Sequence, residues 1–206
     1  MNKMKKLILA SNNQHKIDEI KKILKDLPVE IKSLKEENIF IDVDEDGKTF
    51  EENAKKKAVE IAQYLINRGE NDFIVMSDDS GLEVDYLNGE PGIYSARYAG
   101  EHGNDRANNI KLLEKLEGVP SKDRGAKFVC ALALVDNKSN YISIIGEVRG
   151  IITEVLPKED GFGYDPIFLY EPLGKTFAQL AGEEKNKISH RGVALEKMKT
   201  KIADIL

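Results

Sequence analysis

Cysteine is almost absent from this chain of 206 residues, which excludes several classes of protein at once. The single cysteine, Cys130, lies inside the apolar run from Phe128 to Val135, so we expect a buried, inert thiol rather than a nucleophile. One cysteine cannot build a disulfide framework or a cysteine-based metal site within one chain. The chemistry of the protein is therefore expected to depend on oxygen and nitrogen groups.

Long apolar runs and an excess of basic residues are also lacking. The apolar stretch near the N-terminus covers only Leu7 to Ala10, which is too short for a signal peptide or a membrane span. The formal net charge is -5, and no basic run is interleaved with aromatic residues, so we expect no nucleic-acid polymer as partner. The sequence predicts a soluble cytoplasmic protein with no membrane partner. A few local Lys and Arg side chains could still hold a small anion.

The order of strand-like and helix-like segments predicts an α/β fold. Apolar periodicity predicts helices after residue 13, from Phe50 to about Asn67 and over residues 104 to 116. Thr49 and Glu52 form a capping-box pattern in which Thr49 is the N-cap and Glu52 reaches back to it. Two long apolar segments, 126 to 135 and 141 to 148, indicate an antiparallel hairpin.

A pair of adjacent carboxylates, Asp78 and Asp79, is the most informative feature. The strand-like run from Phe73 to Met76 precedes them, and we expect the strand to end just before the pair. Buried carboxylates are costly unless they meet cations, donors or water. A hard metal such as Mg²⁺, which takes one or two carboxylates, several waters and phosphate oxygens, is one explanation. An Asx-rich turn is the other.

Three further segments have features that suit an anionic, flat ligand. The polar segment from Ser11 to Lys16 lies between a strand and a helix, where backbone N–H groups suit phosphate, although an ordinary N-cap explains it equally. Glycines on both sides of Phe162 allow a flat ligand to approach while the ring stacks on it, or form a glycine-rich turn. His190 and Arg191 follow the predicted N-cap Ser189, where the helix dipole disfavours cations unless an anion shares the site.

Taken together, the segments resemble the inosine triphosphate pyrophosphatase family, which hydrolyses non-standard purine nucleoside triphosphates. The matching segments, in the family's order, are A-S-N-N-Q-H-K, T-F-E-E-N-A-K-K-K-A, S-D-D-S-G-L-E-V-D with G-x-P-G-I-Y-S-A-R-Y, G-F-G-Y-D-P-I-F and E-E-K-N-K-I-S-H-R-G. They span Ala10 to Gly192. The resemblance implies one domain over residues 1 to 206 with an elongated, two-lobed α/β fold, a mixed central sheet flanked by helices, and a homodimer.

The resemblance further implies Mg²⁺-dependent hydrolysis of XTP, ITP and dITP to the monophosphate and pyrophosphate. Asp79 would be the general base and, with Glu45, a metal ligand, and Asp78 its neighbour; which of Asp78 and Asp79 removes the proton is left open. The substrate-binding residues implied are Ser11, Asn12, Asn13, Gln14, His15, Lys16, Lys57, Ser80, Phe162, Gly163, Tyr164, Asp165, Lys185, His190 and Arg191. Within this set, Ser11, Asn13 and Lys16 would hold the triphosphate, Lys57 and Lys185 would add charge, and Ser80 would touch the substrate.

The purine would meet a separate group of these residues. Phe162 would stack on it, Gly163, Tyr164 and Asp165 would complete that wall, and His190 and Arg191 would read the base edge. A donor such as Arg191 would donate a hydrogen bond to the 6-oxo group of hypoxanthine or xanthine and would meet the amino group of adenine unfavourably. The run Lys55, Lys56 and Lys57 leaves the choice of lysine open.

Two alternatives use the same residue types. A phosphatase that removes only the terminal phosphate would release orthophosphate instead of pyrophosphate. A purine nucleotide sensor without turnover would bind the same ligand, although a binder of anions has little use for two neighbouring carboxylates. P-loop and dinucleotide-binding motifs are absent from the sequence.

Overall fold

The computed structural model describes residues 4–158 and 161–202. Its strands are β1 (Lys6–Leu9), β2 (Glu30–Ser33), β3 (Phe73–Val84), β4 (Gly125–Asp136), β5 (Tyr141–Ile152), β6 (Phe168–Tyr170) and β7 (Lys175–Thr176). Its helices are α1 (Gln14–Ile23), α2 (Phe50–Asn67), α3 (Asp105–Lys115), α4 (Gly182–Ile188) and α5 (His190–Ile202). No helix among these described residues is long and apolar enough to cross a membrane.

The seven strands form one mixed sheet in the order β2-β1-β3-β4-β5-β6-β7. β1 pairs in parallel with β2 and β3, whereas β6 pairs antiparallel with β5 and β7. The predicted α/β fold with a mixed sheet and flanking helices is therefore confirmed.

Two compact units divide the chain, and the divisions fall within β3, β4 and β5. The first unit comprises Met1–Asp79, Cys130–Gly146 and Arg191–Leu206, and the second comprises Ser80–Val129 and Glu147–His190. Each unit has its own cluster of buried apolar side chains. The single domain over residues 1 to 206 stays a prediction.

The core of the first unit follows from strand alternation. Leu7 and Leu9 of β1 point to the same face as Ile74 and Met76 of β3, because side chains alternate along a strand. That face is covered by apolar positions of α1 and α5, namely Ile17, Ile20, Ala194, Leu195, Met198 and Ile202. Leu9 pairs with Met76 at the end of the β1–β3 pairing, so the segment that follows β1 and the carboxylates that follow Met76 lie beyond the same end of that pairing.

β3 is longer than predicted. It continues from Phe73 to Val84, so Asp78 and Asp79 lie in the middle of the strand and not after its end. The prediction was wrong because Ser, Asp and Gly are poor strand formers in isolation, while strand preference depends strongly on the surroundings of each side chain. Both carboxylates have partners in the first unit that offset the cost of their burial.

The N-terminus of α2 confirms Thr49 as its N-cap. The Thr49 side chain accepts a hydrogen bond from the Glu52 amide at 3.1 Å. The Glu52 carboxylate, however, accepts from the Lys48 amide at 2.7 Å, one residue further upstream than predicted. The helix ends at Asn67, as predicted.

In the second unit, Arg124 closes the end of α3 although its guanidinium is almost fully buried. It donates to the carbonyl oxygens of Leu116 and Ile152, both at 2.9 Å, and of Thr153 at 2.7 Å. The carbonyls at the end of a helix lack partners within the helix, and Arg124 supplies one. Phe128, which is 6% exposed, packs beside Phe168 with ring centroids 4.5 Å apart.

Candidate active site

The segment from Ser11 to Lys16 forms the start of α1 in the first unit. Asn13 is the N-cap, and its side chain accepts from the Lys16 amide at 3.2 Å. The Ser11 hydroxyl accepts from the Asn13 amide at 3.1 Å, and the Gln14 amide group donates to Asp18 at 2.8 Å. Residues 12 to 15 are exposed. The segment therefore offers solvent-facing polar groups at a helix N-terminus, the position that attracts anions.

Asp78 is a deeply buried charge of the first unit, with 2% of its surface exposed. Its carboxylate accepts from Lys16 Nζ at 2.7 Å, from Arg191 Nε at 2.7 Å and from the Cys130 thiol at 3.3 Å. Burial raises the pKa of Asp78, but the charges and hydrogen bonds of Arg191 and Lys16 outweigh it and hold that pKa well below the ordinary value of 3.8. Asp78 is thus a fixed negative charge.

Asp79 has the opposite electrostatic character. Its carboxylate accepts a hydrogen bond from Asn53 Nδ2 at 3.0 Å. Burial raises the pKa of Asp79, and the charge of Glu45 raises it further, while Lys16 and Lys57 act in the other direction. The net shift is upward. Two neighbouring carboxylates with pKa values moved apart suit different roles, one as a permanent charge and one as a proton acceptor.

Asn53 is a residue that the sequence analysis missed. Its Oδ1 accepts from the Gly47 amide at 2.8 Å while its Nδ2 donates to Asp79, so the orientation of the amide group is fixed at both ends. Gly47 permits this approach, because a Cβ there would lie 2.7 Å from Asn53 Oδ1. A signal was present: Asn53 lies three residues after Phe50, on the buried stripe of α2.

The three successive lysines of α2 have different surroundings. Lys57 forms an ion pair with Glu45, Lys56 pairs with Asp46 at 2.7 Å, and Lys55 lies over the Tyr141 ring at 4.8 Å. Of the three, only Lys57 is among the charges that shift the pKa of Asp79. This distinguishes Lys57 from its two neighbours.

Carboxylates that could hold a metal are few. Within residues 4–158 and 161–202, no group of three or more His, Cys, Asp or Glu side chains is arranged as a metal site. Glu45 and Asp79 influence each other electrostatically, and both are hard oxygen donors. Two carboxylates fit an ion such as Mg²⁺, which takes its remaining ligands from water and phosphate.

Arg191 lies in the first turn of α5, which begins at His190 as the predicted N-cap Ser189 required. Its guanidinium is 2% exposed and donates to Asp78 and, through Nη1, to Glu19 at 2.5 Å. We expected an anion to accompany a cation at this helix N-terminus. In the structure, two carboxylates supply the negative charge, and Glu19 had no sequence signal beyond its place on α1.

Phe162, Gly163, Tyr164 and Asp165 form a loop in the second unit. Lys185 Nζ contacts Asp165 Oδ2 at 2.6 Å and lies 5.8 Å from the centroid of the half-buried Phe162 ring. The Tyr164 hydroxyl donates to a backbone carbonyl at 2.9 Å. The charge of Lys185 is therefore matched by Asp165, which lies beside the aromatic ring.

His190 and Ser80 complete the predicted residues of the second unit. His190 is 5% exposed and stacks on Phe128 with centroids 4.7 Å apart and planes at 12°. Ser80 is half-buried within β3. The substrate contacts predicted for both stay predictions.

The structure thus collects the predicted residues in two groups. Within the first unit, Lys16 and Arg191 both contact Asp78, and Asp79 interacts electrostatically with Glu45 and Lys57. Within the second, Lys185 joins Asp165 and Phe162. Asp105 and Asn109 of α3, which the sequence analysis missed, bind the Gly163 peptide.

The protein thus has an α/β fold with a mixed sheet. Its first unit combines two adjacent carboxylates, lysines and the N-terminus of a helix, a combination that suits an anionic ligand. The chain belongs to the Ham1 family, whose model matches residues 7–201.

Individual relatives agree with this membership. The chain is 60% identical over 203 residues to a protein of Clostridium perfringens (strain 13 / Type A) named dITP/XTP pyrophosphatase, covering 98% of this chain and all (100%) of that one. Among solved structures, the Ham1 protein of Staphylococcus aureus matches with a TM-score of 0.84 at 44% identity, and a HAM1 protein of Coxiella burnetii with 0.83 at 36%. Both matches cover 98% of this chain and 100% of the other.

Proposed function

We propose that the protein is a nucleoside triphosphate pyrophosphohydrolase that converts XTP, ITP and dITP to the monophosphate and pyrophosphate. The single observation that carries the proposal is the contrast between Asp78 and Asp79, one held ionised by two cations and the other with a raised pKa. Its reaction class is supported by the name of the Clostridium perfringens relative, which is 60% identical. Such an enzyme removes non-standard purine nucleotides from the nucleotide pool.

In this proposal Asp79 is the general base that removes a proton from the attacking water. A carboxylate with a raised pKa is a stronger proton acceptor. A bound Mg²⁺ would favour the ionised form of Asp79 and lower this pKa, which keeps Asp79 in the form that accepts a proton. Asp78 is poorly suited to this role, because its oxygens accept hydrogen bonds from Lys16 and Arg191 and its pKa is lowered. We therefore assign the proton transfer to Asp79 and the orientation of Lys16 to Asp78.

The triphosphate would bind to the first unit. The segment from Ser11 to Lys16, in which residues 12 to 15 are exposed, presents polar groups at the N-terminus of α1. The ammonium groups of Lys16 and Lys57 would neutralise phosphate charge, and each is paired with a carboxylate, Asp78 or Glu45. This arrangement keeps cations in place without leaving them unpaired.

We propose Mg²⁺ as the cofactor, with Glu45 and Asp79 as its protein ligands. When bound, a magnesium ion supplies charge neutralisation and polarises phosphoryl oxygens. The nature of the two side chains supports this proposal. The ionised carboxylates of Glu45 and Asp79 repel each other, and a divalent cation between them would relieve that repulsion.

The purine would bind to the second unit. Phe162 offers an aromatic face, with Lys185 and Asp165 beside it. His190 would contribute to the base edge. Arg191 is also proposed to read the base edge, on the family resemblance. We also propose a cytoplasmic homodimer, on the family resemblance; light scattering would measure the oligomeric state.

Product analysis tests the proposed reaction directly. ITP, XTP, dITP, GTP and ATP would each be incubated with and without Mg²⁺, and pyrophosphate and orthophosphate would be assayed separately. We expect Mg²⁺-dependent pyrophosphate from ITP, XTP and dITP with little from GTP and ATP. Orthophosphate alone would instead establish a terminal phosphatase, and binding without turnover would establish a nucleotide sensor.

A further inference from the structure

Two side chains of α3 hold both backbone groups of Gly163. The Gly163 amide donates to Asp105 Oδ2 at 2.7 Å, and the Gly163 carbonyl accepts from Asn109 Nδ2 at 2.8 Å. Asp105 and Asn109 are four residues apart, so they lie on the same face of the helix. The Asn109 Nδ2 also donates to the Asp105 carbonyl at 2.9 Å, which fixes the side chain relative to its own helix.

The backbone at Gly163 explains why the loop needs such support. Its φ is +58°, a left-handed conformation that glycine adopts freely and other residues only at a cost. A Cβ at this position would meet nothing within 4 Å, so conformation and not space requires the glycine. Glycine is also the most flexible residue when unrestrained, and two hydrogen bonds from a helix remove that freedom.

Asn109 makes these bonds although the packing does not favour an amide. The residue is 2% exposed, and its Oδ1 is buried without a hydrogen-bond partner in the described part of the chain. A buried acceptor without a partner is costly. By contrast Ile110, the next residue, is 42% exposed. An apolar residue at position 109 would remove this cost but would also leave the Gly163 carbonyl without its donor.

We propose that Asp105 and Asn109 are positioning residues for the purine-binding loop. By fixing the Gly163 peptide, they orient the preceding residue, Phe162, whose ring is proposed to stack on the base. This inference rests on the proposed function, specifically on the stacking role of Phe162. Asp105 and Asn109 themselves touch no substrate in this proposal.

The kinetic signature is a change in KM rather than in kcat, because the stacking contact binds ground state and transition state alike. Replacing Phe162 by alanine should raise the KM for ITP about 10-fold or more, the order expected when base stacking on an aromatic ring is lost. Asn109→Leu and Asp105→Ala should each raise KM about 5-fold with kcat within about 2-fold, since the ring remains but is less well oriented.

The chain offers a matched control and a conservative rescue. Asn108 is also buried on α3, but it accepts from the Ala99 amide at 2.7 Å and has no bond to Gly163. Asn108→Leu should lower the melting temperature as Asn109→Leu does, without the rise in KM. Asp105→Asn should keep KM near the wild-type value, because an amide oxygen can still accept from the Gly163 amide.

A double-mutant cycle decides whether the effect passes through Phe162. If it does, the double variant should have the same KM as Phe162→Ala alone, because Asn109→Leu has no ring left to orient. An unchanged KM in Asn109→Leu and Asp105→Ala, or additive effects in the cycle, would overturn the inference while leaving the proposed reaction intact. A wild-type KM in Phe162→Ala would overturn both the stacking role and the inference. Should the wild type bind ITP without hydrolysis, the proposed function fails, and the same cycle is then decided by the Kd for ITP.

Discussion

In the first unit Asp78 is buried with the cations of Lys16 and Arg191, whereas in the second unit Asn108 and Asn109 are buried with backbone amides and carbonyls as partners. The Asp78 cluster therefore pairs charge with charge, whereas Asn108 and Asn109 pair neutral dipoles. The second unit also buries charges, namely Arg124 against backbone carbonyls and Lys185 with Asp165 as an ion pair. Charges suit a triphosphate, which is strongly anionic. Neutral dipoles and an aromatic ring suit an uncharged base, which is recognised by shape and hydrogen bonding.

The largest expected effect is on turnover in the first unit. Asp79→Asn should lower kcat about 1000-fold, because it removes the proposed proton acceptor while keeping the shape of the side chain. Pyrophosphate release measures the rate, and calorimetric titration measures ITP binding, which should be largely spared. The variant should be no less stable than the wild type at pH 7, since a raised pKa means that ionised Asp79 opposes folding there. Retained turnover would refute the assignment.

The next effect concerns stability in the same unit. Asp78→Asn should lower the free energy of unfolding by about 3 kcal/mol, because it removes the charge that half-buried Lys16 and buried Arg191 share. Urea denaturation at pH 7 provides the measurement. Asp136→Asn is a suitable control, as Asp136 is also buried but accepts from neutral amides of Lys138 and Asn140. Equal losses in both variants would show that the buried charges are not special.

In the second unit, Arg124→Leu tests whether a buried cation can be satisfied by dipoles alone. The substitution leaves the carbonyls of Leu116, Ile152 and Thr153 without this donor. We expect the free energy of unfolding to fall by about 2 kcal/mol. The kcat for ITP should be unchanged at temperatures below the unfolding transition. If kcat fell while the variant was fully folded, the contacts of Arg124 would affect catalysis as well as stability, contrary to this prediction.

The smallest effect is a dependence of stability on pH that the contacts of Asp78 should show and those of Arg124 should not. The pKa of Asp78 is lowered on folding, so its stabilising contribution is complete above pH 3.8 and is lost as the pH falls through the native value. The stability difference between wild type and Asp78→Asn should therefore narrow below pH 3.8. The difference between wild type and Arg124→Leu should stay constant over the same range, because neither a guanidinium nor a carbonyl titrates there.

Residue patterns predicted those parts of the molecule that local chemistry determines. The N-cap Thr49, the end of α2 at Asn67 and the start of α5 at His190 follow from capping and periodicity, which act over a few residues. β3 was predicted too short because its continuation through Asp78 and Asp79 depends on cations that come from α1 and α5. No local rule anticipates partners so distant in the chain.

The site shows the same limit. The predicted residues were chosen by motif, and Phe162, Lys185 and Asp165 do lie together in the second unit. Asn53 was missed although its place on a buried helix stripe signalled it. Asp105 and Asn109 carried no such signal, since a helical Asp and Asn four residues apart are ordinary on a solvated surface. Their importance depends on Gly163, which lies more than fifty residues away in the sequence.

The thiol of Cys130 can also serve as an internal reporter of local opening. It is the chain's single cysteine, it is completely buried, and its sulfur lies 3.3 Å from Asp78 Oδ2. Burial and the neighbouring carboxylate raise its pKa well above the ordinary value of 9.0, so the thiolate forms readily only when the structure opens. The rate at which an alkylating reagent modifies Cys130 therefore reports how often the surroundings of Asp78 open, with no probe added to the chain.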